Sequence, residues 1–542
     1  MAGTPPPKPR PIEVAAALYQ RGDLDRCAYV CTEILKRGQD AGAMELLAAI
    51  HYRRGEYDAA EPLLTKAHTL QPRNVHIINS LGLIKRRKRK LDEALRLFRL
   101  AMEVDPRYPG AHNNLGNTLK DLKDRPGARK AYESALAINP NFPDALANVA
   151  IMEEEAHKLD SARGMAERAL NLSPGNPTAS LALARVEFRE KLHEQAIARL
   201  KPFLETQSFS PVDHALAWGV TGQAQEALGN YDEAFAAFEK SNAILYEFDK
   251  DTQAQIELAA GAPNIVKRLI AFFETEDPTT WSAPGGLEGA DPVFFVGFPR
   301  SGTTLIEQIL AAHPRLTTFD EHNNLADAIG DFDLMEGGLE RLRTLSREEI
   351  NLHRRAYWGR AIAAGAVIDP AKTVVDKLPM NLAELHLIHR LFPGARIIFA
   401  LRDPRDVIFS CFEQRFGMNV AMHQFLRLDT AVDYYDNVMH LAALLRAKLP
   451  LKIHTIRYED LIRDFETTAR ALFEYLELPW DDAVYGYAEK AKKRDISTPS
   501  SRQVVQPLYT RSIARWRNYE KHMKPYLPVL NRWAASFGYD RS

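Results

Sequence analysis

The feature that most limits how this chain can fold is a repeat. Leu81-Gly82, Ala94, Phe98, Ala101 and Pro106 return 34 residues later as Leu115-Gly116, Ala128, Tyr132, Ala135 and Pro140. A further 34 gives Val149-Ala150, Ala162, Ala166, Ala169 and Pro174, and a step back gives Leu47-Ala48, Ala60, Leu64, Ala67 and Pro72. A small residue in the first half of each unit, and a small–bulky–small series in the second, suit two helices pressed closely together. Proline closes the unit because it cannot continue a helix. One such hairpin cannot bury its apolar face alone, so the copies must stack. Looser copies, "LDRCAYVCTEIL" and "LAWGVTGQAQEALGNYDEAFAAFEKSNAIL" with Gly222, Ala234 and Phe238, extend the array. That gives about six or seven units over residues 12–247.

Period and residue order together resemble the tetratricopeptide repeat. The resemblance implies an α-solenoid whose concave face takes a polypeptide or protein, or else serves as a scaffold arm with no peptide ligand. The run "KRRKRK", Lys85 to Lys90, falls at the turn inside one unit. It reads as a solvated turn, as a docking patch for an acidic polypeptide, or as a nuclear-targeting signal. Residues 1–11, "MAGTPPPKPRP", are proline-rich without an apolar core and are expected to be a disordered tail, not a signal peptide.

Composition bounds the remainder. A chain of 542 residues is too long for one ordinary core, and 46% apolar with 26% charged residues is a soluble globular balance. A net charge of −1 gives no global reason to expect nucleic acid or an anionic membrane. No apolar run reaches the ~18 residues of a membrane span. Cys27, Cys31 and Cys411 cannot form a disulfide framework. That suits a reducing, cytoplasmic setting. Cys27 and Cys31, one helical turn apart, lack the partners of a zinc site and read as packing.

Beyond the array the pattern changes. Residues 248–289 hold a helix, "NIVKRLIAFF", and a proline- and glycine-rich linker. From residue 290 to 542 apolar strand-like runs alternate with helical segments, as in an α/β domain with a mainly parallel sheet. "PVFFV" leads into the glycine loop "VGFPRSGTT" and the helix "TTLIEQILAAH"; "KTVVD" ends at Lys377, "ARIIFAL" at Arg402, and "LKIHTI" at Arg457-Tyr458. Ligands of open α/β sheets bind beyond the carboxyl ends of the strands, so one edge collects an anion-binding loop, cations and an aromatic ring. The loop has the glycine spacing of a nucleoside-triphosphate loop, Gly297 and Gly302, but lacks its lysine.

"FPRSGTT", "LRDPRDVIFS", "IRYEDL" and "SSRQVVQP…RW", in this order with a Lys-x-Pro segment between, resemble sulfotransferases, and tyrosylprotein sulfotransferases in particular, over residues from about 290 to 520. The resemblance implies a P-loop-like phosphosulfate loop and the sulfuryl donor 3′-phosphoadenosine 5′-phosphosulfate (PAPS), with no metal. Arg300, Ser301, Gly302, Thr303 and Thr304 would surround the 5′-phosphosulfate. Arg402 and Ser410 would grip the 3′-phosphate, helped by Arg515, with Tyr458 near the adenine. Glu321 would be the base, Lys377 would stabilise the leaving oxygen, and Ser500 would assist.

Other roles stand beside these. The lesser reading of Glu321 is a capping or surface carboxylate, with His322 as a rival base. Lys377 reads as an ion-pair partner, Arg402 as the partner of Asp403 or Asp406, and Tyr458 as packing. Where the tyrosylprotein enzymes carry a further arginine, this chain has Gln414. The expected activity is transfer to an acceptor hydroxyl. The acceptor is protein tyrosine, or alternatively a carbohydrate, lipid or small phenol. A tetratricopeptide adaptor that binds nucleotide without turnover is the reading from another class.

Overall fold

The computed structural model describes residues 9–206, 209–260, 262–319, 321–417, 419–492 and 512–540. The chain divides into two compact units, Met1–Phe209 and Ser210–Ser542.

The first unit is a stack of helical hairpins. Its helices are α1 (Pro11–Gln20), α2 (Leu24–Arg37), α3 (Ala41–Arg53), α4 (Tyr57–Leu70), α5 (Val75–Arg87) and α6 (Leu91–Val104). They continue as α7 (Pro109–Asp121), α8 (Arg125–Ile138), α9 (Pro143–Glu155), α10 (Leu159–Leu172), α11 (Pro177–Arg189) and α12 (His193–Leu204). The repeat glycines work as their pattern requires. A Cβ on Gly82 would lie 2.6 Å from the Phe98 ring, and one on Gly116 would lie 2.5 Å from the Tyr132 ring. Each hairpin turn passes through a left-handed residue at the same point of the period: Gly55, Arg89, Lys123, His157 and Lys191 all have positive φ. Cys27 and Cys31 are fully buried and pack between α1, α2 and α3.

The basic run is occupied internally. Lys85 pairs with Glu61 and Glu93, Lys88 with Asp58 and Glu61, and Arg86 with Asp121, while Arg87 donates to the Tyr52 hydroxyl. Glu93 lies on the same hairpin, but Tyr52, Asp58, Glu61 and Asp121 lie on the neighbouring ones, so the run staples repeats together. Hydrogen bonds from Lys85 and Lys88 draw the Glu61 carboxyl down to about 2.

The second unit opens with a further hairpin, α13 (Pro211–Ala227) and α14 (Tyr231–Ala260), followed by α15 (Ala262–Thr275). In α13 and α14, Gly222 meets Phe238 as in the repeats. This hairpin packs within the second unit: Asn242 donates to the Phe412 carbonyl at 2.8 Å, and Phe235 stacks on Phe412. The compact division therefore comes before the last repeat-like hairpin, at Phe209, and not at residue 247.

A five-stranded sheet follows, built from β1 (Val293–Gly297), β2 (Leu316–Phe319), β3 (Thr373–Lys377), β4 (Arg396–Leu401) and β5 (Lys452–Arg457). The order is β2-β3-β1-β4-β5 and every pairing is parallel. Side chains alternate between two cores. Phe294, Val296, Ile397 and Phe399 face the layer containing α15 and the helix Leu428–Lys448. Phe295, Val375, Ile398 and Ile456 face α16 (Thr303–Ala312) and the helix Phe465–Tyr475. A central strand covered on both faces must be apolar throughout, and β1 is. The chain runs from β1 out to β2, returns to β3, and then crosses to β4. In open sheets such a reversal is where a ligand crevice forms, here beyond the carboxyl ends of β1, β3 and β4.

Candidate active site

The loop after β1 is forced into shape at two residues. Arg300 has φ +70° and Gly302 has φ +87°. A Cβ on Gly302 would also lie 2.5 Å from the Tyr458 ring, so glycine is needed for conformation and for space. Gly297 likewise lets β1 lie close to β4, where an added Cβ would meet the Ala400 carbonyl oxygen at 2.9 Å. No side chain among the described residues caps α16, whose first-turn N–H groups point back into the loop. Ser301, Thr303 and Thr304 are buried around it. A helix N-terminus of this kind attracts an anion without a metal.

Two arginines meet here, Arg300 of the loop itself and Arg402 beyond β4. Arg300 Nε donates to Ser410 Oγ at 3.0 Å. Arg402, following β4, donates to the Arg300 carbonyl at 3.0 Å and the Ser512 carbonyl at 2.6 Å. Its guanidinium lies 5.1 Å from the centre of the Tyr458 ring, and the Tyr458 hydroxyl is 2.8 Å from Ser512 Oγ. Arg402 is not the ion-pair partner of Asp403 or Asp406. Asp403 is held by Arg405 at 2.7 Å, and Asp406 accepts the backbone N–H groups of Ala514 and Trp516. Burial pushes the Asp406 carboxyl up to about 6 against the pull of Arg402. Arg402 Nε is buried with no hydrogen-bond partner among the described residues. A buried guanidinium with a spare donor is fitted to receive an anion.

The third group forms around Lys377 at the end of β3. This side chain is fully buried, and its Nζ lies 2.7 Å from Glu321 Oε1 and 3.2 Å from Glu307 Oε2. Burial pulls the ammonium down, but Glu307 and Glu321 outweigh it and hold the group above its ordinary value. The carboxylates differ: Glu307 on α16 is 1% exposed, whereas Glu321 beyond β2 is 35% exposed. Glu321 is the one an incoming molecule can reach. Asp376, beside Lys377, is pushed up to about 6 by burial, opposed by hydrogen bonds from Tyr357 at 2.6 Å and Asn324 at 3.2 Å. Asn324 thereby ties the Glu321 loop to β3.

One expected member, Arg515, is engaged elsewhere, and another cannot be placed among the described residues. Ser500 lies outside the described residues, as does the whole of "SSRQVVQP". Arg515 gives its donors to Glu226 and Glu413, so α13 and the end of the helix Pro404–Glu413 occupy the guanidinium expected on a phosphate.

The sulfotransferase family pattern matches residues 292–482, from the start of β1 past β5, and takes in the loop, Glu321, Lys377, Arg402, Ser410 and Tyr458. The second unit carries a sulfotransferase-family domain. Tetratricopeptide repeat patterns match residues 41–71 and 109–142, and that of anaphase-promoting complex subunit 3 matches residues 155–241. Protein-tyrosine sulfotransferase 1 of Danio rerio is 26% identical over 268 residues, 46% of this chain and 72% of that protein. An uncharacterized protein of Aquifex aeolicus (strain VF5) is 27% identical over 383 residues, 65% of this chain and 46% of that protein, so the chain spans less than half of that relative. A solved tetratricopeptide repeat protein from Parabacteroides merdae is 17% identical, covering 43% of this chain and 91% of that one with a TM-score of 0.33.

The sulfotransferase domain holds one central residue that the sequence did not single out. Glu307 sits five residues after Gly302 in an apolar helix, and its only sequence signal is a carboxylate at a position otherwise destined for the core. A buried carboxylate needs a cation, and the cation it has is Lys377.

Proposed function

We propose that the sulfotransferase domain transfers the sulfuryl group of PAPS to an acceptor hydroxyl, with protein tyrosine as the acceptor. The observation that carries this reading is the meeting, at one sheet edge, of an uncapped helix N-terminus, the spare donor of Arg402 and the Lys377–Glu321 pair. The 5′-phosphosulfate lies on Arg300, Ser301, Gly302, Thr303 and Thr304. The 3′-phosphate lies on Arg402 and Ser410, with Tyr458 beside the base. As the acceptor oxygen bonds to sulfur, the bond from sulfur to the bridging oxygen breaks and that oxygen leaves on the 5′-phosphate. Glu321 takes the acceptor proton and Lys377 faces the departing oxygen, so the protein supplies positioning and charge stabilisation. Protein tyrosine as acceptor is supported by the likeness to protein-tyrosine sulfotransferase 1 of Danio rerio and by the repeat array, a fold whose concave face commonly takes polypeptides. Cytoplasmic placement remains part of this proposal.

Calorimetric titration with adenosine 3′,5′-bisphosphate against ADP tests the reading. Binding that needs the 3′-phosphate, needs no Mg²⁺, and weakens about tenfold or more in Arg402→Ala is expected, since a charge-assisted pair is worth roughly 1.5–3 kcal/mol. Preference for ADP with Mg²⁺ would overturn it.

A further inference from the structure

Away from the loop, three ionisable side chains converge in the core of the second unit. Asp333 lies in the π-helical turn Ile329–Leu334, Glu384 closes the 3₁₀ turn Pro379–Glu384, and His386 is on the helix Leu385–Leu391. One possible ligand atom of each lies within 4.8 Å of the other two. Asp333 and His386 are wholly buried, and His386 Nε2 is 2.9 Å from Asp333 Oδ1. Each residue also has a buried atom without a hydrogen-bond partner among the described residues: Asp333 Oδ2, Glu384 Oε2 and His386 Nδ1.

Two carboxylates cannot share a buried site as anions unless a positive charge sits with them. The neighbouring cation is Arg268, and its hydrogen bond goes to the backbone carbonyl of Asp333. The Phe273 ring, 5.3 Å from His386, closes another side with hydrocarbon. The cluster thus has two units of potential negative charge, an imidazole, and orphaned donor atoms in a dry surround. We propose that Asp333, Glu384 and His386 bind one divalent transition-metal ion of the zinc class. Two carboxylates and an imidazole balance its charge and match its preference for mixed oxygen and nitrogen ligands, with water completing the shell.

The ion's role is structural. Glu384 comes seven residues after Lys377, and the 3₁₀ turn between them starts at Pro379. Fixing Glu384 to the π turn fastens the segment that follows the buried lysine. The site uses none of the residues assigned to sulfuryl transfer, so it stands or falls independently of that assignment.

The test uses the full chain purified without a metal-affinity step, stripped with chelator, and titrated with zinc or with cobalt(II) as a visible reporter. About one ion per chain is expected, with cobalt giving the absorption of a low-symmetry, nitrogen- and oxygen-ligated centre. Zinc should raise the melting temperature of the wild type by mass action. Glu384→Gln, nearly isosteric, and His386→Gln should each weaken zinc binding by about tenfold or more, removal of a direct ligand costing at least as much as loss of an outer-shell partner. The wild-type titration decides the matter even where a variant fails to fold. If the stripped wild type takes up no zinc or cobalt, a shared proton neutralises the pair and the metal site is wrong. It is equally wrong if the Glu384→Gln/His386→Gln double variant binds zinc as tightly as the wild type.

Discussion

At the scale of the residue, the site is governed by an unequal pair of carboxylates around one lysine. Glu321 is partly open to solvent, while Glu307 is sealed. If Glu321 takes the acceptor proton, as proposed, Glu307 is the carboxylate left charged beside Lys377. Glu307→Gln removes a negative charge from a cation whose value is held up, so Lys377 titrates at lower pH. The high-pH limb of kcat should move to lower pH, with nucleotide affinity nearly unchanged and partial recovery in Glu307→Asp. A pH–rate profile of the three proteins checks this, and an unmoved limb would mean that Glu307 does not control Lys377. Glu321→Ala should cost about 10²–10⁴ in transfer, the usual contribution of a positioned base, with adenosine 3′,5′-bisphosphate still bound. A variant that retains turnover would hand the proton to His322 or to solvent. Most of this group was legible in the sequence because strand ends and glycine loops have local signatures. Glu307 was not, because a helix pattern cannot tell a core carboxylate from a surface one until the sheet is in place. The pairing of Arg515 was not legible for the related reason that its partner Glu226 is 289 residues away.

At the scale of the element, the 34-residue period shows the hairpins, but not how each turn is made. Where Gly55 supplies the left-handed turn residue, Arg89, Lys123, His157 and Lys191 adopt the same conformation without glycine's freedom. Lys123→Gly should therefore stabilise the array by about 0.5–1 kcal/mol, the relief of a left-handed side chain less the extra freedom of the unfolded glycine. Gly116→Ala should destabilise it by about 1–3 kcal/mol, since the added methyl meets the Tyr132 ring and something must shift. Urea midpoints of the two variants check both signs, and the same sign for both would break the account. Two of the elements of the sulfotransferase domain that escaped the sequence show why. β2 is a four-residue edge strand with one buried side chain, too short for alternation to show. The helix Arg347–Ala363 falls in a stretch that matched no motif, although Ser346 and Glu349 form a capping box that marks its start.

At the scale of the molecule, the compact division and the sequence periodicity disagree, and the disagreement can be measured. Periodicity runs through α14, because Gly222 and Phe238 repeat the small-against-large packing of the array. Packing assigns α13 and α14 to the sulfotransferase domain. Phe235 stacks on Phe412 and on His522, Tyr231 meets Tyr519, Asn242 caps the Phe412 carbonyl, and Glu226 shares Arg515 with Glu413. A chain of residues 210–542 should fold cooperatively and bind nucleotide. A chain of residues 248–542 loses Glu226, Phe235 and Asn242, which exposes an aromatic face and leaves part of Arg515's charge unmatched. It should be insoluble or melt well below the longer form, because stripping a buried aromatic contact costs about 3–5 kcal/mol. The 210–542 chain then separates catalysis from docking. If the repeats of residues 1–209 guide a polypeptide acceptor, their removal should raise KM for a tyrosine peptide far more than for a small phenol, with kcat on the phenol kept. Equal losses on both acceptors would leave the array without a part in substrate capture and make the small phenol the better guide to the acceptor.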